Sequence, residues 1–193
     1  MAHIKLMISD FDGTLVDTFE ANYKAYKKAF GEYNINLSRE KYSACFGYRF
    51  DEFMKYMNIN DENIKNGIRK LKSEYYPLFF NDLTINQPLI NILRSFKNSG
   101  GLTAVASTAS HKNITNALDY IHAKDAFSLI LTGEDVNIGK PNPEIYNTIL
   151  KKLEISPEEA IVFEDSIVGI QAASAAKISY IKITKDFFHE NIS

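Results

Sequence analysis

The sequence predicts an α/β protein, a doubly wound, parallel, five-stranded (Rossmann-like) core carrying an inserted all-α cap domain. Three observations predict it. From residue 83 onward, short apolar runs that read as buried strands alternate with helical patterns, and strand–helix alternation is the mark of a parallel sheet. A further apolar run, Ile4 to Ile8, stands near the N-terminus, separated from the others. Between them, residues 17–82 keep helical spacing with no convincing strand. Residues 1–16 and 83–193 are therefore assigned to the core, and 17–82 to the insert.

The bulk properties suit this division. The chain has 193 residues, 45% of them apolar, enough for one domain with an insertion. A net charge of −2 without a block of like charges gives no reason to expect nucleic acid or an anionic membrane as partner. Cys45 is the single cysteine, so no intrachain disulfide forms. No window approaches 18 apolar residues, and Met1-Ala2-His3-Ile4-Lys5 lacks the apolar region of a signal peptide. A cytoplasmic protein, monomeric or weakly dimeric, is expected.

In chain order, Ile4–Ile8 is too short for a helix and reads as strand one. Asp17-Thr18-Phe19-Glu20 has the spacing of a capping box, and Phe19, Tyr23, Tyr26 and Phe30 continue a helix that Gly31 stops. Ser38 opens a short helix, Asp51 caps another to about Asn58, and Asp61 starts a long one along Ile64, Ile68, Leu71, Tyr75 and Leu78, bent or ended by Pro77. Pro88 suits a first helical position, before a face of Leu89, Ile90, Leu93 and Phe96. Leu102–Ala106 is the second strand, and Ser110 caps the next helix. Phe127–Leu131 is the third strand, and Pro143 opens the helix of Ile145, Tyr146, Ile149 and Leu150. Ser156 to Glu159 is a cap, Ala160–Phe163 the fourth strand, Ile167–Ala176 a small-residue helix and Tyr180–Ile183 the fifth strand. A helical stub is expected around Asp186 to Asn191.

The first strand runs into Asp10-Phe11-Asp12-Gly13-Thr14. If the extended geometry persists to Asp12, both carboxylates project to one side. Two like charges that close are costly unless a cation, proton or ligand intervenes. Taken alone, the string also suits a plain turn, and it resembles the opening of a calcium loop but lacks the further ligands. Other strands end in chemistry of their own. Ser107 and Thr108 follow the second, Gly139-Lys140-Pro141 comes after the third, and Glu164-Asp165-Ser166 follows the fourth. Individually these read as caps and loops; in a parallel sheet all converge on the carboxyl edge, where ligands bind.

Carboxylates, a hydroxyl and an ammonium converging in this way suit phosphoryl transfer. The charge on phosphoryl oxygens needs stabilisation, which Lys140 and Ser107 can give. Four carboxylates can share a pocket with an anion only if a cation bridges them, and hard oxygen ligands beside phosphate point to Mg²⁺. Asp10 can attack phosphorus, and Asp12 can protonate the leaving oxygen and then deprotonate water.

The chain resembles the haloacid dehalogenase superfamily of phosphohydrolases. Asp10-Phe11-Asp12-Gly13-Thr14-Leu15-Val16-Asp17-Thr18 is similar to its first motif, Ser107 to the second and Lys140 to the third. The run from Glu164 to Ala173 is similar to the fourth, and Gly139 to Tyr146 is especially like the subgroup of phosphoglycolate phosphatase and β-phosphoglucomutase. The resemblance implies a Mg²⁺-dependent phosphatase of small phosphorylated metabolites, working through an aspartyl-phosphate. It implies Asp10 as nucleophile and metal ligand, and Asp12 as acid/base with its carbonyl on the metal. It implies Ser107 and Lys140 on the phosphoryl group, with Thr108 beside them, Asp165 on the metal, and Glu164 on it directly or through water. Asn22 stands where the mutases carry a histidine, which favours a phosphatase over a phosphotransferase. Arg49, after the glycine of the cap's specificity loop, is a candidate for an anionic substrate group. A signalling receiver domain shares some of this chemistry, but its phosphoacceptor follows the third strand and no insert interrupts it.

Overall fold

The computed structural model describes residues 3–188, which divide into two compact units, one ending at Asp17 and resuming at Thr84, the other spanning Thr18–Leu83. The first is built on five parallel strands, β1 (Leu6–Ser9), β4 (Leu102–Ala106), β5 (Leu129–Leu131), β6 (Ala160–Glu164) and β7 (Ser179–Lys182). Their order is β5-β4-β1-β6-β7. The central strand β1 pairs with β4 through Leu6–Leu102 and with β6 through Leu6–Ala160, so the segment nearest the N-terminus is flanked on both sides.

Helices α5 (Gln87–Asn98), α6 (His111–Tyr120), α7 (Glu144–Leu153) and α8 (Ile167–Ala175) wind around this sheet. Leu6, Ile8, Ala104, Ala106 and Val162 join Ile145, Tyr146, Ile149, Ala172 and Ala173 in one buried cluster. Thr103 and Val105 alternate with Ala104 and Ala106, so they project to the other face. Apolar residues on both sides explain why these strands read as continuous apolar runs.

The helical unit contains α1 (Phe19–Gly31), α2 (Arg39–Cys45), α3 (Phe50–Tyr56) and α4 (Glu62–Tyr75), followed by a 3-10 stretch, Tyr76–Asp82. Much of its interior is aromatic. Tyr26 and Phe53 meet edge to face at 5.1 Å, Phe19 lies 5.2 Å from both Tyr42 and Phe46, and Phe30 is fully buried. Asp61 caps α4 by accepting from the N–H groups of Asn63 and Ile64, and Ser38 caps α2 by accepting from Lys41.

Several local expectations are corrected. Asp17 does not cap a helix. It ends β2 (Val16–Asp17), which pairs antiparallel with β3 (Thr84–Ile85). Strand pairing holds Asp17 extended, and α1 starts one residue later with Thr18 at its N-cap and no side-chain capping bond. Both short strands are too brief to show a period of two. The N-cap of α3 is Arg49, and Asp51 lies inside the first turn. Pro88 is the second residue of α5, since Asn86 takes the cap. Leu78 lies beyond Pro77 in the 3-10 stretch and is 62% exposed, so it does not extend the apolar face of α4. The third strand begins at Leu129, because Lys124–Ala126 forms a 3-10 turn just ahead of it. Of the predicted C-terminal stub, Lys185–Phe188 forms one 3-10 turn, and 189–191 lie outside the described residues. Among the described residues no helix is long and apolar enough to cross a membrane.

Candidate active site

Asp10 comes directly after the last residue of β1, and its N–H still donates to the Phe163 carbonyl at 3.0 Å. It is therefore locked to the neighbouring strand and buried at the carboxyl edge of the sheet. Extended geometry does not reach Asp12. The chain bends at Phe11 and turns through Gly13, whose φ of 92° is open to glycine at little cost. The turn is closed by Gly13 N–H on the Val16 carbonyl and Leu15 N–H on that of Phe11. A side chain at Gly13 would also run into Asp165 Oδ2, so the glycine lets that carboxylate come close. Asp12 is half-buried, and its Oδ2 accepts from the Ser107 hydroxyl at 3.3 Å.

Ser107 ends the fully buried stretch after β4, and its Oγ also accepts from the Ala109 N–H at 3.1 Å. Thr108 is half-buried in the adjoining bend. Lys140 arrives on the loop between β5 and α7, ahead of a cis peptide to Pro141. Its ammonium uses three protons at once, on Asp10 Oδ1 at 2.7 Å, Glu164 Oε1 at 2.5 Å and the Ala106 carbonyl at 3.0 Å.

Glu164 is the last residue of β6 and has no solvent exposure. Besides Lys140, its Oε1 accepts from the Tyr146 hydroxyl at 2.9 Å, while Oε2 accepts from the Ser166 Oγ at 3.0 Å and the Ser166 N–H at 3.3 Å. A Cβ at Gly169 would overlap this carboxylate, so the first turn of α8 needs glycine there. Asp165 is held by the Thr14 hydroxyl at 2.9 Å on Oδ1.

The electrostatics arise from this crowding. Burial pushes the Asp10 carboxyl well above its ordinary range, with Glu164, Asp165 and Asp12 adding to the effect and Lys140 opposing it. Burial works against the charge on Lys140, yet Asp10, Tyr146 and Glu164 together hold its pKa well above the ordinary lysine value. Burial raises Asp165 to about 6, with Glu164 pushing the same way and Thr14 opposing. Burial also raises Tyr146, which keeps its hydroxyl protonated and donating.

Oxygens of Asp10, Glu164 and Asp165 lie within 4.8 Å of one another. Two carboxylates share the Lys140 ammonium and that of Asp165 is grouped with them, which leaves an excess of negative charge, and a set of hard oxygen donors suits a divalent cation such as Mg²⁺. By its chemistry the donor set fits that ion.

Six predicted site residues thus come together in one unit: Asp10, Asp12, Ser107, Lys140, Glu164 and Asp165. Asn22 and Arg49 belong to the helical unit. Asn22 is buried in α1 and donates to the Thr18 hydroxyl at 3.0 Å. Arg49 is half-buried at the start of α3, where its N–H donates to Glu52 at 3.3 Å. The contacts of Thr14 and Tyr146 were not anticipated. Both stand inside the motif strings, and a polar residue at a buried motif position was the available signal.

Comparison with known proteins agrees with this geometry. The family model of haloacid dehalogenase-like hydrolases matches residues 7–183. The chain belongs to that family. It is similar to the phosphorylated carbohydrates phosphatase of Thermotoga maritima, with 28% identity over 92% of this chain and 84% of that one. It is also similar to the fructose-1-phosphate phosphatase of Escherichia coli, with 25% identity over 92% and 95%. Among solved structures, CbbY from Rhodobacter sphaeroides in complex with phosphate superposes with a TM-score of 0.85 at 25% identity, covering 98% of this chain and 90% of that one. The family is one of hydrolases, and both of these curated relatives are named phosphatases.

Proposed function

We propose that this haloacid dehalogenase-like hydrolase is a Mg²⁺-dependent phosphatase of small phosphorylated carbohydrates, acting through a phosphorylated Asp10. The observation that carries the reading is the buried Asp10 carboxylate at the end of the central strand, bound to Lys140 and grouped with Glu164 and Asp165. The names of the curated relatives support the carbohydrate class.

In the first half-reaction a carboxylate oxygen of Asp10 forms a bond to phosphorus as the ester P–O bond breaks, and Asp12 gives its proton to the departing alkoxide. In the second, Asp12 takes a proton from water as the water oxygen bonds to phosphorus. The bond to Asp10 breaks, releasing phosphate and restoring the carboxylate. Lys140 already spends its protons on Asp10, Glu164 and Ala106. A phosphoryl oxygen taking the place of one of these would receive a fixed positive charge with little reorganisation. Ser107, now shared with Asp12, is the second donor within the same cluster. Asp10, Asp165 and Glu164 would hold Mg²⁺, which when bound neutralises charge on the transferring group. Asn22 and Arg49 are proposed to bear on substrate choice, and asparagine at position 22 favours hydrolysis over transfer between sugar positions.

A panel of sugar phosphates and phosphoglycolate, with an aryl phosphate as reference, tests the reading. The expected result is phosphate release that requires Mg²⁺ and is abolished by Asp10→Asn. With β-glucose 1-phosphate, isomer formed faster than free phosphate would overturn the choice of phosphatase.

A further inference from the structure

Asn86 has no solvent exposure and stands where the chain returns to the core unit, between β3 and α5. Every polar group it owns is used. Its N–H donates to the Leu15 carbonyl at 3.0 Å, its carbonyl accepts from Ile90 at 3.1 Å, and its Oδ1 caps α5 by accepting from Leu89 at 3.2 Å. The remaining group, Nδ2, donates to the Thr14 carbonyl at 3.1 Å. Capping alone needs only an acceptor, and Ser, Thr or Asp would supply one. What the amide adds is the bond to Thr14.

Thr14 is itself fully buried, and its hydroxyl donates to Asp165 Oδ1 at 2.9 Å. Two side-chain hydrogen bonds in series therefore join Asn86 to a carboxylate of the acidic group. The first fixes the Thr14 backbone, and the second fixes Asp165. The same turn carries Gly13, against which Asp165 packs.

We propose that Asn86 is a positioning residue for the cation site, holding Thr14 so that its hydroxyl keeps Asp165 aimed at the site. The inference rests on the proposal that Asp165 holds Mg²⁺. Outer partners that orient a metal-binding carboxylate typically change metal affinity by about 10- to 100-fold. Asn86 acts through one further residue, so the low end, about tenfold, is expected.

The test is calorimetric Mg²⁺ binding to substrate-free protein, with kcat and KM for an aryl phosphate at saturating Mg²⁺ measured alongside. Asn86→Asp keeps the cap and replaces the donor with an acceptor. Asn86→Ser keeps a cap too short to reach Thr14, and serves if the aspartate variant does not fold. Thr14→Val removes the hydroxyl, and Thr14→Ser should restore it. Expected are Mg²⁺ dissociation constants raised about tenfold in the Asn86 variant and in Thr14→Val, with KM little changed. Combining the two changes should weaken binding no more than Thr14→Val does alone. Mg²⁺ binding in a folded Asn86 variant within twofold of wild type, while Thr14→Val weakens it, overturns the role of Asn86. Wild-type protein that binds no Mg²⁺ overturns the underlying function reading instead, and the inference with it.

Discussion

In the core unit the side chains of Lys140, Asp10 and Glu164 are 3%, 12% and 0% exposed, whereas the Arg39–Glu20 pair of the helical unit is 54% and 33% exposed. Both units have apolar interiors, and the core unit buries a cluster of opposed charges, Lys140 with Asp10 and Glu164. Much of the helical unit's interior is aromatic, with Arg39 lying on the faces of Phe19 and Tyr23 at its rim. Buried charges contribute little net stability even when paired, because desolvation offsets attraction. Rings packed edge to face stabilise through area and geometry. The proposed function assigns the buried charges to chemistry and the aromatic cluster to folding, and that division can be probed from both sides.

The largest effect is expected at Lys140. Lys140→Met leaves Asp10 and Glu164 without their buried cation, which should destabilise the metal-free fold by about 3–5 kcal/mol. It should also lower kcat by about 10²- to 10³-fold, as loss of one charge-stabilising donor does. Denaturant titration and steady-state kinetics report the two losses separately, and a variant that loses stability alone would remove Lys140 from the chemistry.

Phe53→Ala comes next. Phe53 is buried among Tyr26, Phe30 and Tyr42, and its truncation should cost about 3–5 kcal/mol in urea unfolding. A loss below about 1 kcal/mol would mean that the aromatic cluster is not what holds this unit together.

A smaller effect concerns pH. Asp10 and Asp165 have folded pKa values above their unfolded ones, Asp165 near 6. At Asp165 the folded, metal-free protein therefore keeps its proton more readily than the unfolded chain between about pH 4 and 6, and Asp10 shifts in the same direction. Their contribution to stability is present at low pH and is lost as pH rises through the folded values. A cation held by these carboxylates relieves that loss, so Mg²⁺ should raise Tm more at pH 7.5 than at pH 5. An equal shift at both values would detach the cation from these groups. Smallest of all is Arg39→Ala, which removes an exposed ion pair and ring contacts and should cost under about 1 kcal/mol.

The core strands and the convergence of Asp10, Ser107, Lys140 and Asp165 were legible because they rest on short-range rules. Apolar runs mark buried strands, and a parallel sheet gathers the residues just past its strand ends on one edge. Asp17 was misread because a pattern that suits a cap was overridden by pairing with Thr84, a partner far along the chain. Arg49 took the cap of α3 although Asp51 is the better capping residue by type. Asn86, Thr14 and Tyr146 went unassigned for a related reason. Their spacing records which element they occupy, but the bonds from Asn86 to Thr14, from Thr14 to Asp165 and from Tyr146 to Glu164 exist only once distant segments meet.

Asp10 is proposed to carry the phosphoryl group during turnover. The most direct measurement is an acid quench of the enzyme reacting with a labelled aryl phosphate, with subsequent peptide mapping, in wild type and in Asp12→Asn. An aryl leaving group needs little acid assistance, while loss of the Asp12 base slows attack by water. Expected is hydroxylamine-sensitive label on the peptide containing Asp10, accumulating to a higher level in Asp12→Asn. Label on another residue, or turnover with no covalent label in either protein, would contradict it.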